Sequence, residues 1–297
     1  MSFSAVQTAM AEAGYMASDD LAVALHLAIS LQRPILLEGA AGVGKTEVAR
    51  VLATVQKTKL IRLQCYEGLD AAQAIYEWNY QRQLLAIRSS AEAGETGSTV
   101  EKRIFSEEFL LERPLLAAIR QPQAPVLLID EIDKADIEFP NDLLVELDRM
   151  EFFVYETGET IKAKQRPIII ITSNNEKELP DAFLRRCFFH YIRFPEPEVM
   201  ESIINVHYPD IRNRLVAEAM RVFYDIREAP GLKKKPSTSE LIDWLKLLMA
   251  DDIPDEVLKN RDQTKAIPPL YGALVKNEQD VQLLERLAFM HRRESNQ

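Results

Sequence analysis

The residues best suited to chemistry fall in two short segments. Gly39, Ala40, Ala41, Gly42, Val43, Gly44, Lys45 and Thr46 read G-x-x-x-x-G-K-[ST]. In that spacing the glycines let backbone N–H groups turn inward around a polyphosphate, and a helix opening at the end of the loop adds positive potential. Lys45 is placed to reach the β- and γ-phosphates, and Thr46 to ligate Mg2+ through its hydroxyl. Glu47, next in the chain, is grouped with the nucleotide-binding residues. The second segment, VLLIDEIDKAD (126–136), brings Asp130 to the end of an apolar run with Glu131 beside it. Asp130 is expected to hold Mg2+ through water, and Glu131 to polarise an attacking water as general base. A structural reading stands beside each: a glycine-rich turn for the first, and an acidic pair capping a helix for the second. Together the two imply ATP and Mg2+ as cofactors and ATP hydrolysis as the reaction.

Two further segments refine that chemistry. ITSNN (171–175) ends another apolar run with polar residues. An amide there orients a lytic water or touches the γ-phosphate, and Asn174 rather than Asn175 is the candidate; the alternative is an asparagine in a turn. LPDAFLRRCFFHYIRF (179–194) places Arg185 and Arg186 after a short helix. Arginine is always charged and fork-shaped, so it suits a γ-phosphate contact reaching into a neighbouring subunit. The alternative is two solvated arginines at a helix end.

These residues need elements that aim them. Residues 17–32 read as an amphipathic helix opened by Ser18 or Asp19. ILLEG (35–39), LIRLQ (60–64), VLLID (126–130) and PIIIITSNN (167–175) read as buried strands, and TEVARVLATV (46–55) has helical spacing. AIYEWNYQRQLLAIR (74–88) is predicted helical, SSAEAGETGSTVEKR (89–103) a flexible loop, and SEEFLLERPLLAAIR (106–120) a helix. FPNDLLVELDRM (139–150) is predicted helical, and FFVYETGETIKAK a hairpin with Thr157 and Gly158 at its tip. Strands alternating with helices predict an α/β fold with a parallel sheet flanked by helices. Residues 199–297 read as helical throughout, broken at Pro230-Gly231, at KKKP (233–236), at Pro254 and at Pro268-Pro269. The expected domains are therefore an α/β nucleotide-binding domain over 1–197 and a helical lid over 198–297. The first carries an insert at about 68–106 and a hairpin at about 152–165.

Composition narrows the setting. The 297 residues carry a formal net charge of −10, which argues against a dedicated nucleic-acid binder. No window approaches a membrane span, and the first residues lack the pattern of a signal peptide. Cys65 and Cys187 fit neither a disulfide framework nor a metal knuckle, so the reducing cytoplasm is the expected compartment.

The order of motifs resembles that of AAA+ ATPases: phosphate loop, Asp-Glu strand, Asn-bearing strand, arginine finger, helical lid. Within them the chain is similar to the MoxR branch, in the long segment from Leu60 to Val126, in the hairpin before the Asn strand, and in LPDAFLRRCFFHYIRFPEPE (179–198). That last segment is similar to the branch's Leu-Pro-Glu-Ala-x-x-Asp-Arg-Phe. Aligned so, Arg186 takes the finger position and Arg185 replaces the usual Asp. EGLDAAQAIYEWNYQRQLLAIR (67–88) and PSTSELIDWLKLL (236–248) resemble the CoxD-like members, associated with maturation of a molybdenum- and copper-containing carbon monoxide dehydrogenase. One departure is clear: many MoxR-type lids carry an arginine in a Ser-Pro-Arg-like segment, where this chain reads KPSTSELIDW with Ser239 near that position. The resemblance implies a hexameric ring with ATP sites between subunits. It also implies a partner bearing a von Willebrand factor A domain, and a client protein that is remodelled or matured. Tyr76, Trp78 and Tyr80 are candidates to touch such a client, or to pack the insert on the core. A nucleotide-switched binding module with slow hydrolysis is the alternative class, and a DNA-associated AAA+ protein a third.

Overall fold

A computed structural model of the chain describes residues 3–92, 97–259 and 268–295. The chain divides into two compact units: Met1–Gly39 with Lys45–Ile192, and Ala40–Gly44 with Arg193–Gln297.

The first unit is built on a parallel sheet. Its strands are β1 (Ile35–Glu38), β2 (Leu60–Gln64), β5 (Val126–Asp130), β8 (Ile168–Ser173) and β9 (Phe188–Tyr191), in spatial order β2-β5-β8-β1-β9. Two antiparallel pairs stand apart from it: β3 (Tyr76–Trp78) with β4 (Leu110–Glu112), and β6 (Glu151–Val154) with β7 (Glu159–Lys162). β5 is buried at every residue, as is β8 after Ile168, which fits strands covered on both faces. The helix Lys45–Val55 lays Val48, Ala49, Val51 and Leu52 into the interior, at the three- and four-residue spacing of one helical face. Ser18 caps the helix Asp19–Ser30 by accepting from the Leu21 N–H. Gly158, at φ +71°, turns the β6–β7 hairpin. The parallel register sets Gln64 beside Asp130 and aligns Ile129 with Ile171, so the strand ends gather polar residues along one edge.

Local expectations fail in three places within residues 71–120. The predicted helix over 74–88 is a short helix Ala71–Ile75, then β3, then a helix Tyr80–Glu92. The predicted helix over 106–120 is a 3-10 turn Glu107–Phe109, then β4, then a helix Pro114–Ile119. β3 and β4 pair with each other (Trp78 opposite Leu110), and that ladder outweighs helical spacing. The loop expected over 89–103 holds the end of the helix Tyr80–Glu92 and a helix Gly97–Ile104; residues 93–96 lie outside the described residues. The helix expected over 139–150 is two short helices, Phe139–Asp142 and Leu144–Arg149.

The second unit is helical, with helices Pro197–His207, Asn213–Glu228, Thr238–Ala250, Asp255–Lys259 and Glu278–Ser295. The helical reading of 199–297 includes residues 260–267, which lie outside the described residues. Trp244, Phe223, Met200 and Leu241 centre its core, and the Trp244 indole N–H donates to the Pro269 carbonyl at 2.8 Å. A complete capping box opens Thr238–Ala250: the Ser237 hydroxyl accepts from the Glu240 N–H, and the Glu240 carboxylate accepts from the Ser237 N–H. Within this unit Gly42, at φ +75°, lies against that cap. A Cβ on Gly42 would stand 2.4 Å from the Ser237 Cβ, so conformation and space both exclude a side chain there.

Candidate functional site

Lys45 opens its helix and is 7% exposed. Its ammonium donates to the Gly39 carbonyl at 2.8 Å and to Asn174 Oδ1 at 2.7 Å. Burial pushes its pKa below the ordinary lysine range, while Asp133, Glu131, Asp130 and Glu38 pull it back up. Asp130, 2% exposed, ends β5. Its Oδ1 accepts from Thr46 at 3.1 Å and from Thr172 at 2.6 Å, and its Oδ2 accepts from the Arg62 guanidinium. Thr172 is itself fully buried, and its hydroxyl oxygen accepts the Glu131 N–H at 2.8 Å. One hydroxyl thus ties the two acidic residues to β8.

Glu131 sits in the left-handed region at φ 56° and ψ 53°, which turns its side chain off the line of β5. Its Oε2 accepts from the Gln64 amide at 3.0 Å and its Oε1 from the Asn174 amide at 3.3 Å. Asn174 therefore bridges an ammonium and a carboxylate. Its loop is held by Asp133, whose Oδ2 accepts the N–H groups of Asn174 at 3.1 Å and Glu176 at 3.0 Å. Arg62 completes a chain of contacts, since it also donates to Gln64 Oε1. The concentration of acid is felt nearby. Burial first, then the field of Asp130, Asp133 and Glu131, pushes the Cys65 thiol up to about 12. Burial and Asp133 likewise raise Glu38, against the pull of Lys45.

Gly39, Lys45, Thr46, Asp130, Glu131 and Asn174 are thus joined by direct or shared hydrogen bonds. Glu47 pairs with Arg50. Arg185 and Arg186 are not joined to the cluster. Arg186 donates from Nε to Asp148 at 2.7 Å and from a terminal nitrogen to the Ala182 carbonyl at 2.8 Å. The carbonyls of both arginines accept from Arg33. Four partners were missed by sequence reasoning: Arg62, Gln64, Thr172 and Asp133. The first two alternate on one face of β2, and their only signal was polarity inside an otherwise apolar strand.

The residues present fit Mg2+. Thr46 and Asp130 offer oxygen atoms alone, 3.1 Å apart, the donor type a hard cation takes. Among the described residues no group of three or more His, Cys, Asp or Glu could hold a metal by itself. That suits an ion bound through one or two carboxylates together with substrate phosphates.

A family model for the AAA domain, dynein-related subfamily, matches residues 34–187, just over half of the 297 residues. The match begins just before β1 and ends just before β9, so it spans Lys45, Asp130, Glu131 and Asn174 together with the sheet that holds them. With that match over a parallel sheet and its flanking helices, the chain belongs to the dynein-related AAA domains, an AAA+-fold module for binding and hydrolysing ATP.

Proposed function

We propose that this chain hydrolyses ATP at the Lys45–Glu131 cluster and uses the energy to remodel a client protein. The observation that carries the hydrolysis reading is Asn174, whose Oδ1 accepts from the Lys45 ammonium while its amide N–H donates to Glu131. In use, Lys45 leaves the Gly39 carbonyl for the β- and γ-phosphates, and the loop 39–46 gives its N–H groups to the same oxygens. Thr46 would hold Mg2+ through its hydroxyl and Asp130 through water, and the ion would supply neutralisation of the charge that builds on the phosphate oxygens. Glu131 takes a proton from the attacking water, and Asn174 fixes where that water stands. Gln64 restrains Glu131 by donating to its Oε2.

The finer reading follows the resemblance to the MoxR branch. Arg186, aided by Arg185, completes the site of a neighbouring copy in a hexameric ring. A protein with a von Willebrand factor A domain is the partner, and a metalloenzyme in the cytoplasm, such as a molybdenum- and copper-containing carbon monoxide dehydrogenase, is the client. A gene neighbourhood with neither a von Willebrand-type protein nor metalloenzyme subunits would remove that maturation role. No described helix is long and apolar enough to cross a membrane.

The core of the proposal is tested by Lys45→Ala in a titration with ATP. Loss of tight binding is expected, because the remaining loop donors carry no formal charge to offset the phosphates. Unchanged affinity would remove the loop 39–46 from nucleotide binding.

A further inference from the structure

Asp130 has no acceptor site to spare. An ionised carboxylate offers about four lone-pair positions in its plane. Thr46 and Thr172 take those of Oδ1, and the Nε (2.9 Å) and a terminal nitrogen of Arg62 both donate to Oδ2. A metal-bound water that donates to Asp130 must therefore displace one of these donors. Thr172 is fully buried in the sheet and also holds the Glu131 N–H, so moving it would break two contacts at once. Thr46 can ligate a cation with its oxygen lone pairs and still donate its proton to Asp130. The Arg62 side chain is 52% exposed, against 3% for that of Asp130. It can swing into water, where its guanidinium is fully solvated at little cost.

We propose that Arg62 is a displaceable counter-cation of the Mg2+ site: it neutralises the buried Asp130 carboxylate while the site is empty and yields Oδ2 when Mg2+ arrives with nucleotide. This rests on the reading that Thr46 and Asp130 hold Mg2+. Because a metal-bound water and the guanidinium compete for one carboxylate oxygen, Arg62 raises the Mg2+ concentration needed to load the site. It also keeps the empty site from presenting an unpaired buried charge.

The test is the Mg2+ dependence of binding of a fluorescent ADP to the whole chain, for the wild type and Arg62→Ala. The variant is expected to reach half-maximal binding at about threefold lower Mg2+, the scale of one partly exposed ion pair. Thermal melts give a second readout. Arg62→Ala is expected to melt below the wild type in EDTA without nucleotide, with the gap closing at saturating Mg2+ and ADP. An unchanged or higher Mg2+ requirement overturns the proposal, as does a melting gap of equal size in both states. Should Arg62→Ala fail to fold, Arg62→Gln is judged by the same two outcomes. If the wild type binds no nucleotide at saturating Mg2+, the nucleotide-site reading itself falls, and that result is distinct from the others.

Discussion

Thr172→Val isolates one hydroxyl that the account makes responsible for two contacts. Valine matches threonine in shape, so the fully buried site is not opened to a cavity. Two hydrogen bonds go: the 2.6 Å donation to Asp130 Oδ1 and the 2.8 Å acceptance of the Glu131 N–H. A hydrogen bond to a charged acceptor contributes about 1.5–3 kcal/mol, and a buried N–H left without a partner costs about 1–3 kcal/mol. The two losses share one atom and are not additive. The expected net loss is about 2–4 kcal/mol, or roughly 5–15 °C in melting temperature for a unit of this size. Differential scanning fluorimetry measures it, with Thr172→Ser as the control that keeps the hydroxyl and stays within about 1 kcal/mol of the wild type. Turnover is expected to fall as well, because Glu131 loses the bond that fixes its left-handed backbone. A Thr172→Val protein that melts with the wild type and hydrolyses ATP at the same rate would refute this reasoning.

Two other outcomes follow from the same geometry. Arg186→Ala is expected to leave the melting temperature nearly unchanged, since its partly exposed pair with Asp148 contributes less than about 1 kcal/mol. If Arg186 acts in a neighbour's site, the variant binds ATP but turns over slowly, and mixing it with subunits lacking Glu131 restores some activity; no rescue, from a chain that stays monomeric with ATP, would exclude the shared site. Lys45 gives a pH signature. Its folded pKa lies below its unfolded value, so between the two the unfolded chain binds more protons and this group's contribution to stability grows as pH rises. Nucleotide binding needs the ammonium, so ADP affinity is expected to fall with rising pH ahead of ordinary lysine titration near about 10.4; a flat affinity up to that pH would contradict it.

Contiguous chemistry was legible in the sequence, and cross-strand chemistry was not. Lys45, Thr46, Asp130 and Glu131 announce themselves because loop and strand end carry them in fixed spacing. β1, β5 and β8 show as short apolar runs because both their faces are buried. Gln64 reaches Glu131 only through the parallel register that sets β2 beside β5, and no spacing along the chain encodes that. Thr172 looks like an ordinary strand threonine until β8 is placed next to β5. β9 was overlooked because Phe188–Tyr191 lies at the sheet edge and no residue in it is fully buried, so it lacks the apolar run of a central strand. Residues 76–78 misled in the opposite direction. They fall inside the helix expected over 74–88, yet Tyr76–Trp78 extends to pair with Leu110–Glu112. There a tertiary contact outweighed a local preference.

If Glu131 activates water for attack on a phosphate held by Lys45, Glu131→Gln separates binding from turnover, measured as ATP affinity and steady-state phosphate release on the same preparation. The amide keeps the shape and its one oxygen can still accept from either Gln64 or Asn174, but its NH2 turns a donor toward the other and the basicity is lost. ATP affinity is expected to stay within about twofold of the wild type, with phosphate release lowered by about 10²-fold or more. Release within a factor of about two of the wild type, against that general-base scale, would take Glu131 out of the chemistry.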